Sequence, residues 1–106
     1  MTTATTAPAT WWQQSLTEVG VRSMEKLLPH DATWEQVLAS GRADLQRGLE
    51  RTKWQPTRAQ TVVDIGCGVG RMSQALAEYA GRVVGVDIAP ALLAEAREKN
   101  RAPHVS

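Results

Sequence analysis

Between Thr61 and Asp87 the spacing of apolar residues changes twice. Thr61-Val62-Val63-Asp64-Ile65 is a β-branched, nearly continuous apolar run, which predicts a strand buried on both faces, as in a parallel sheet. From Arg71 to Ala80 the apolar positions Met72, Ala75, Leu76 and Tyr79 recur at helical intervals, and Gly81 is expected to end that helix in a left-handed conformation. Arg82 to Val86 reverts to a strand pattern, with Asp87 at its end. Pro90 then suits the first turn of a helix in which Leu92, Leu93 and Ala96 face inward and which Asn100 closes.

Upstream the pattern is helical. Trp12, Leu16 and Val19, then Met24, Leu27 and Leu28, fall at helical spacing across Trp11 to Leu28, with Gly20 between the sets and Pro29 after them. They make either one helix weakened at Gly20 or two short ones, read as packing on the core rather than as a lid. Thr33-Trp34-Glu35-Gln36 has the form of a capping box, and Trp34, Leu38, Gly41, Leu45 and Leu49 continue it as a helix to about Thr52. Gly41 lies on the apolar stripe, where it admits a close neighbour. Lys53 to Gln60 is a loop broken by Pro56, with Trp54 expected to cover the end of the core. Three regions follow: a flexible tail at 1–10, N-terminal helices and a loop at 11–60, and an α/β unit at 61–106.

Composition adds limits. The 106 residues make one domain at most, and 42% of them are apolar, near the globular norm. Twelve basic and eleven acidic residues leave a net charge of +1, so neither a nucleic-acid face nor an acidic tail is indicated. The single Cys67 forms no internal disulfide and fits a reducing compartment. No apolar run has the length of a membrane span, and the first residues lack the plan of a signal peptide. The expectation is a cytoplasmic protein without membrane association.

The chemistry concentrates at Gly66-Cys67-Gly68-Val69-Gly70. A strand that turns through glycines into a helix presents backbone N–H groups and a helix N-terminus to a ligand. Gly66 and Gly68 let a ligand approach the backbone, and Gly70 lets helix and strand pack closely. A right-handed crossover puts the second strand parallel to the first, so Asp87 emerges beside the loop, 19 residues after Gly68. An acid at about that distance accepts hydrogen bonds from ribose hydroxyls. Two details depart from a dinucleotide loop: the third glycine comes one residue early, and Asp64 leads into the turn. A carboxylate there repels a pyrophosphate and suits a cationic or zwitterionic ligand, such as an amino acid bearing a sulfonium. The absence of Gly-Lys-Ser/Thr excludes a Walker loop. Cys67 reads as a small residue in a tight loop, and neither His30 nor His104 has a second ligand spaced to join it, so no metal site is expected.

Asp64-Ile65-Gly66-Cys67-Gly68-Val69-Gly70 with Gly85-Val86-Asp87-Ile88 resembles the first two motifs of the class I S-adenosylmethionine-dependent methyltransferases. The resemblance covers about Thr61 to Asn100. It implies an α/β, Rossmann-like class I methyltransferase fold, here truncated to N-terminal helices plus a β-α-β-α unit with two parallel strands. It implies S-adenosyl-L-methionine as cofactor, with Gly66, Gly68 and neighbouring backbone (Ile65, Cys67, Gly70) on its methionine part. Asp64 would support the loop and the amino group, Asp87 would bind the ribose hydroxyls, and Ile88 would pack on the adenine. Arg42 is a weaker candidate for the cofactor carboxylate. Ala89 stands where the family often has Ser. The family carries further strands and substrate elements that do not appear here, and Pro103-His104-Val105-Ser106 reads as the start of a third strand. No catalytic residue is assigned and the methyl acceptor is unknown.

The expected function is thus the cofactor-binding portion of a methyltransferase, with little activity as an isolated chain. The alternatives are a non-catalytic interaction module whose sheet another chain completes, or which self-associates, through the bare edge of the Thr61–Ile65 strand, and, less favoured, a nicotinamide-dependent oxidoreductase.

Overall fold

The computed structural model describes residues 2–3 and 31–106; the expected helices over 11–28 lie outside them. The elements are β1 (Thr2–Thr3), α1 (Trp34–Thr52), β2 (Thr61–Ile65), α2 (Arg71–Leu76), β3 (Arg82–Asp87) and α3 (Pro90–Lys99).

The start of α1 follows its sequence signal. The Gln36 amide donates to Thr33 Oγ1 at 3.2 Å, and the Thr33 amide donates to Gln36 Oε1 at 2.9 Å, which satisfies two N–H groups that a helix start otherwise leaves bare. Trp34, Val37, Leu38, Gly41 and Leu45 are its buried stripe. It ends on Lys53, a non-glycine residue at φ 59°.

β2 and β3 pair in parallel from Thr61↔Arg82 to Ile65↔Val86, as the crossover through α2 requires. Where two strands were expected, the sheet has three, ordered β1-β3-β2. Thr2 and Thr3, placed by sequence in a tail, pair with Val86 and Asp87. The same edge of β3 receives the end of the chain, where Val105 bridges Val83 in parallel and Ser106 exchanges backbone hydrogen bonds with Val83 and Gly85. The strand start expected at 103–106 therefore has a partner.

α2 is shorter than the expected Arg71–Ala80 helix. Glu78 and Tyr79 donate to carbonyls only three residues back, Ala75 and Leu76, so the chain tightens out of the α-helix. The freed carbonyls have other donors: the Arg58 guanidinium reaches Ala77, Glu78 and Ala80 at 2.9–3.2 Å, and His104 Nε2 stands 2.8 Å from the Ala77 carbonyl. Gly81, expected to be a left-handed cap, is not left-handed. It is needed for space, since a Cβ there would lie 1.9 Å from the Arg58 carbonyl oxygen. The buried side of α2 is Ser73, Ala75 and Leu76, and Tyr79 is turned outward.

Residues paired in register point to the same face. Val62 and Val83 face Leu45, Ala75, Leu76 and Ala80, with Leu49 and Met72 packed against them. A second group joins Trp34, Val37 and Leu38 to Val69, Ala89 and Leu92 of α3. The helices thus gather on the Val62 face. On the other face Val63 is 54% exposed and Ile65 83%, so β2 is not buried on both faces. Nothing among the described residues covers that side. Trp54, expected over the core end, is likewise exposed.

Candidate functional site

The turn from β2 into α2 is built from glycines because its backbone is left-handed three times: Gly66 at φ 74°, Gly68 at φ 55° and Gly70 at φ 89°. A side-chain-bearing residue is strained at each. The loop is tied to the end of β3: the Gly66 and Cys67 amides both donate to the Val86 carbonyl, at 2.7 and 3.0 Å. The Gly70 amide closes on the Cys67 carbonyl at 2.9 Å, and the Gly70 carbonyl accepts from the Gln74 amide to begin α2. A Cβ on Gly66 would meet no atom within 4 Å, so Gly66 faces open space where a ligand can lie against bare backbone.

Two carboxylates flank this loop. Asp87 Oδ2 accepts from the Gly68 amide at 2.9 Å, and Asp87 Oδ1 accepts from the Ala89 amide at 2.8 Å. The second bond turns the chain into α3, whose N-cap residue Ala89 gives the first turn no side-chain cap. Each carboxylate oxygen keeps further acceptor capacity for a hydroxyl. Asp64, half-buried on the helix side of β2, accepts from Ser73 Oγ at 2.6 Å. Burial pushes its carboxyl above the usual range and the Asp87 charge adds to this, while the Ser73 hydroxyl and the Arg71 guanidinium pull the other way. The Cys67 thiol is buried, and burial with the charges of Asp64 and Asp87 pushes it up to about 12. It stays a neutral thiol, the inert loop residue expected from sequence.

The expected residues divide by place. Asp64, Gly66, Cys67, Gly68, Gly70 and Asp87 come together at the carboxyl end of the sheet, and half-buried Ile88 follows them. Ile65 belongs to the loop by its backbone, but its side chain stands on the uncovered face. Arg42 does not join them: its side chain is exposed, with Nη1 3.9 Å from Glu78 Oε1. Sequence reading missed Ser73 and the Arg71–Asp44 pair. Ser73 carried a faint signal, a small polar residue amid the apolar positions of α2. Asp44 carried none, since its partner is 27 residues away.

This end of the sheet has the chemistry of a cation-tolerant nucleotide site. The Gly66, Cys67, Gly68 and Gly70 amides are taken up by Val86, Cys67 and Asp87, and the charged groups are the Asp64 and Asp87 carboxylates, with the Arg71 guanidinium acting on Asp64. A pyrophosphate carries charge of the same sign as Asp64 and Asp87, whereas an ammonium or a sulfonium is attracted. No cluster of His, Cys, Asp and Glu among the described residues has the arrangement of a metal site. A separate cleft of about 420 Å³, lined by Leu49, Trp54, Pro56 and Tyr79 among others, lies toward the opposite end of the strands. No described helix is long and apolar enough to cross a membrane.

Residues 62–106 match a family model described as a methyltransferase domain. The ubiquinone biosynthesis O-methyltransferase of Pseudomonas paraeruginosa is 43% identical over 51 residues, which cover 44% of this chain and 22% of that enzyme. That of Hydrogenovibrio crunogenus is 40% identical over 45 residues, 42% of this chain and 19% of the enzyme. Among solved structures, Haemonchus contortus phosphoethanolamine N-methyltransferase 1, in complex with phosphoethanolamine and S-adenosylhomocysteine, aligns with a TM-score of 0.65 at 31% identity. The alignment covers 92% of this chain and 19% of that one. Magnesium protoporphyrin IX methyltransferase from Synechocystis PCC 6803, with bound S-adenosylhomocysteine, shares the fold at 22% identity, with a TM-score of 0.59 over 93% of this chain and 49% of its own. The chain spans about a fifth of the length of the curated relatives it matches. Glycine loop, flanking acids, parallel crossover and these likenesses agree: over residues 62–106 the chain is similar to the methyltransferase domain of the S-adenosylmethionine-dependent methyltransferases.

Proposed function

We propose that the carboxyl end of the sheet holds S-adenosylmethionine for in-line transfer of a methyl group to a nucleophilic acceptor. The observation that carries this is the left-handed glycine loop set between two carboxylates. Bound there, the cofactor supplies an electrophilic methyl on a sulfonium. The chain's own residues bind and orient. Asp64 takes the ammonium of the methionine part, and the backbone of Ile65, Gly66, Cys67, Gly68 and Gly70 lies along it. Asp87 accepts from the ribose hydroxyls with the oxygen lone pairs that Gly68 and Ala89 leave over. Ile88 lies against the adenine. Methyl transfer depends chiefly on holding nucleophile and methyl in line. The curated relatives are named as O-methyltransferases, which supports an oxygen acceptor as the first to try.

Because the chain spans so little of its relatives' length, the 106 residues alone are expected to bind cofactor and to show little turnover. Calorimetric titration with S-adenosylhomocysteine and with NADH tests the binding: heat with the first and none with the second supports the reading, and the reverse overturns it. The lone, unreactive thiol supports a reducing, cytoplasmic setting.

A second reading rests on one feature. Val63, Ile65, Val84 and Val86 form an apolar face that no described element covers, beside the outer edge of β2, which has no partner among the described residues. Such a surface invites another polypeptide or a second copy to complete the sheet. Sedimentation that finds a monomer at every concentration removes this reading's support.

A further inference from the structure

We infer that Gly41 and Asp44 of α1 are positioning residues for the cofactor loop, acting through Arg71. The inference rests on the reading above in one respect: Asp64 receives the cofactor's ammonium. Gly41 meets α2 at its first residue. A Cβ on Gly41 would stand 2.6 Å from the Arg71 carbonyl oxygen and 2.9 Å from its Cγ, so the backbone of α1 lies directly on Arg71. One turn along the same face, Asp44 Oδ2 accepts from Arg71 Nη1 at 2.6 Å, and Ser40 Oγ stands 3.4 Å from the same nitrogen. Backbone and side chain of Arg71 are therefore both gripped by one helix, and the side chain is only 16% exposed. Arg71 directly follows Gly70, the left-handed residue that closes the loop. The grip fixes where the loop ends.

It also fixes a charge. Asp64 is faced by the Ser73 hydroxyl, the Arg71 guanidinium, the Asp87 carboxylate and the Cys67 thiol. Among these Arg71 is the cation that favours the ionised carboxylate against burial and against Asp87. A long arginine side chain left unheld spends its time in solvent. Held by Asp44 and Ser40, it keeps its charge near Asp64. Ionised Asp64 is the form that attracts an ammonium.

The test uses the full chain and the variants Asp44→Asn, Arg71→Gln and Arg71→Lys, at a temperature where thermal scans show all of them folded. Carboxyl-carbon NMR titration without cofactor reads the Asp64 midpoint directly. Asp44→Asn and Arg71→Gln are expected to move it to higher pH, and Arg71→Lys, which keeps a cation against Asp44, to hold it near the wild-type value. In calorimetry Arg71→Gln weakens S-adenosylhomocysteine binding about threefold to tenfold near the Asp64 midpoint, with the loss shrinking at higher pH. A purely structural role would lower affinity equally at every pH. An Asp64 midpoint that is the same in all four proteins overturns the inference. If the midpoint moves as stated but the wild-type chain binds no S-adenosylhomocysteine, the grip stands and the cofactor reading falls.

Discussion

The two faces of the β2–β3 sheet use the same residue types to opposite ends. On one, Val62 and Val83 lie under α2 and α1, and Val83 is 0% exposed. On the other, Val63 and Ile65 of the same strand, with Val84 and Val86 beside them, stand open or half open. Alternation along a strand sends neighbours to opposite sides, so a nearly continuous apolar run states that both faces are meant to be dry. Here one face holds the domain together and carries Asp64 into the site, and the other contributes little to the stability of this chain. Apolar character records where a residue is suited to go, and burial records what has come to cover it.

That contrast breaks most sharply under paired truncations. Val83→Ala leaves a cavity in the covered face and is expected to cost about 2–3 kcal/mol in chemical denaturation, whereas Ile65→Ala stays within about 0.5 kcal/mol. Equal losses would mean that the open face is buried in solution. Next in size is Gly41→Ala. Its Cβ must displace backbone of Arg71, and a loss of about 1–3 kcal/mol follows, while Gly48→Ala, with nothing within 4 Å of its Cβ, gains up to about 1 kcal/mol from helix propensity. A matching response at the two glycines would contradict the close contact of α1 with α2.

Asp64→Asn separates stability from function on the covered face. The folded carboxyl of Asp64 is raised, so its contribution to stability is fully present below the ordinary value of 3.8 and is lost as pH rises through the folded value. Asn keeps an acceptor for Ser73 and removes the buried charge. The variant is expected to melt higher than wild type at pH 7 and to lose roughly tenfold in cofactor affinity. Asp44 behaves oppositely: the Arg71 hydrogen bond lowers its carboxyl, so its contribution is present above 3.8 and fades as pH falls through the folded value. A thermal melt of Asp44→Asn against wild type, repeated from pH 7 downward, reads this as a gap that closes with acid. The smallest effect on stability is expected from Val63→Lys with Ile65→Lys, which leaves the melt nearly unchanged and abolishes any concentration-dependent association seen in sedimentation.

Much of this was legible in the sequence because its signals are local. The Thr33–Gln36 box, the run Thr61–Ile65 and the turn Gly66–Gly70 are each decided within a few residues, and a fixed crossover hand then brings Asp87 to the loop. What was not legible depends on distant partners. The end of α2 depends on Arg58 and His104, which take its last carbonyls from either side in sequence. The space at Gly81 depends on the Arg58 backbone, so a glycine that looked like a left-handed cap is a close approach instead. Tyr79 fits the apolar stripe by spacing and Trp54 was expected over the end of the core, yet both stand exposed, as rings with a polar edge readily do. Ser73 and Asp44, which hold Asp64 and Arg71, are single polar residues whose meaning appears only once α1, α2 and β2 are assembled.

The claim at the centre is that the covered face delivers its carboxylates to a cofactor at the glycine loop. Amide NMR of the full chain titrated with S-adenosylhomocysteine tests it residue by residue. Saturable shifts concentrated at Gly66, Cys67, Gly68, Asp87 and Ile88 are expected. Shifts centred on the Leu49–Trp54–Tyr79 cleft, or none at saturating ligand, would contradict it.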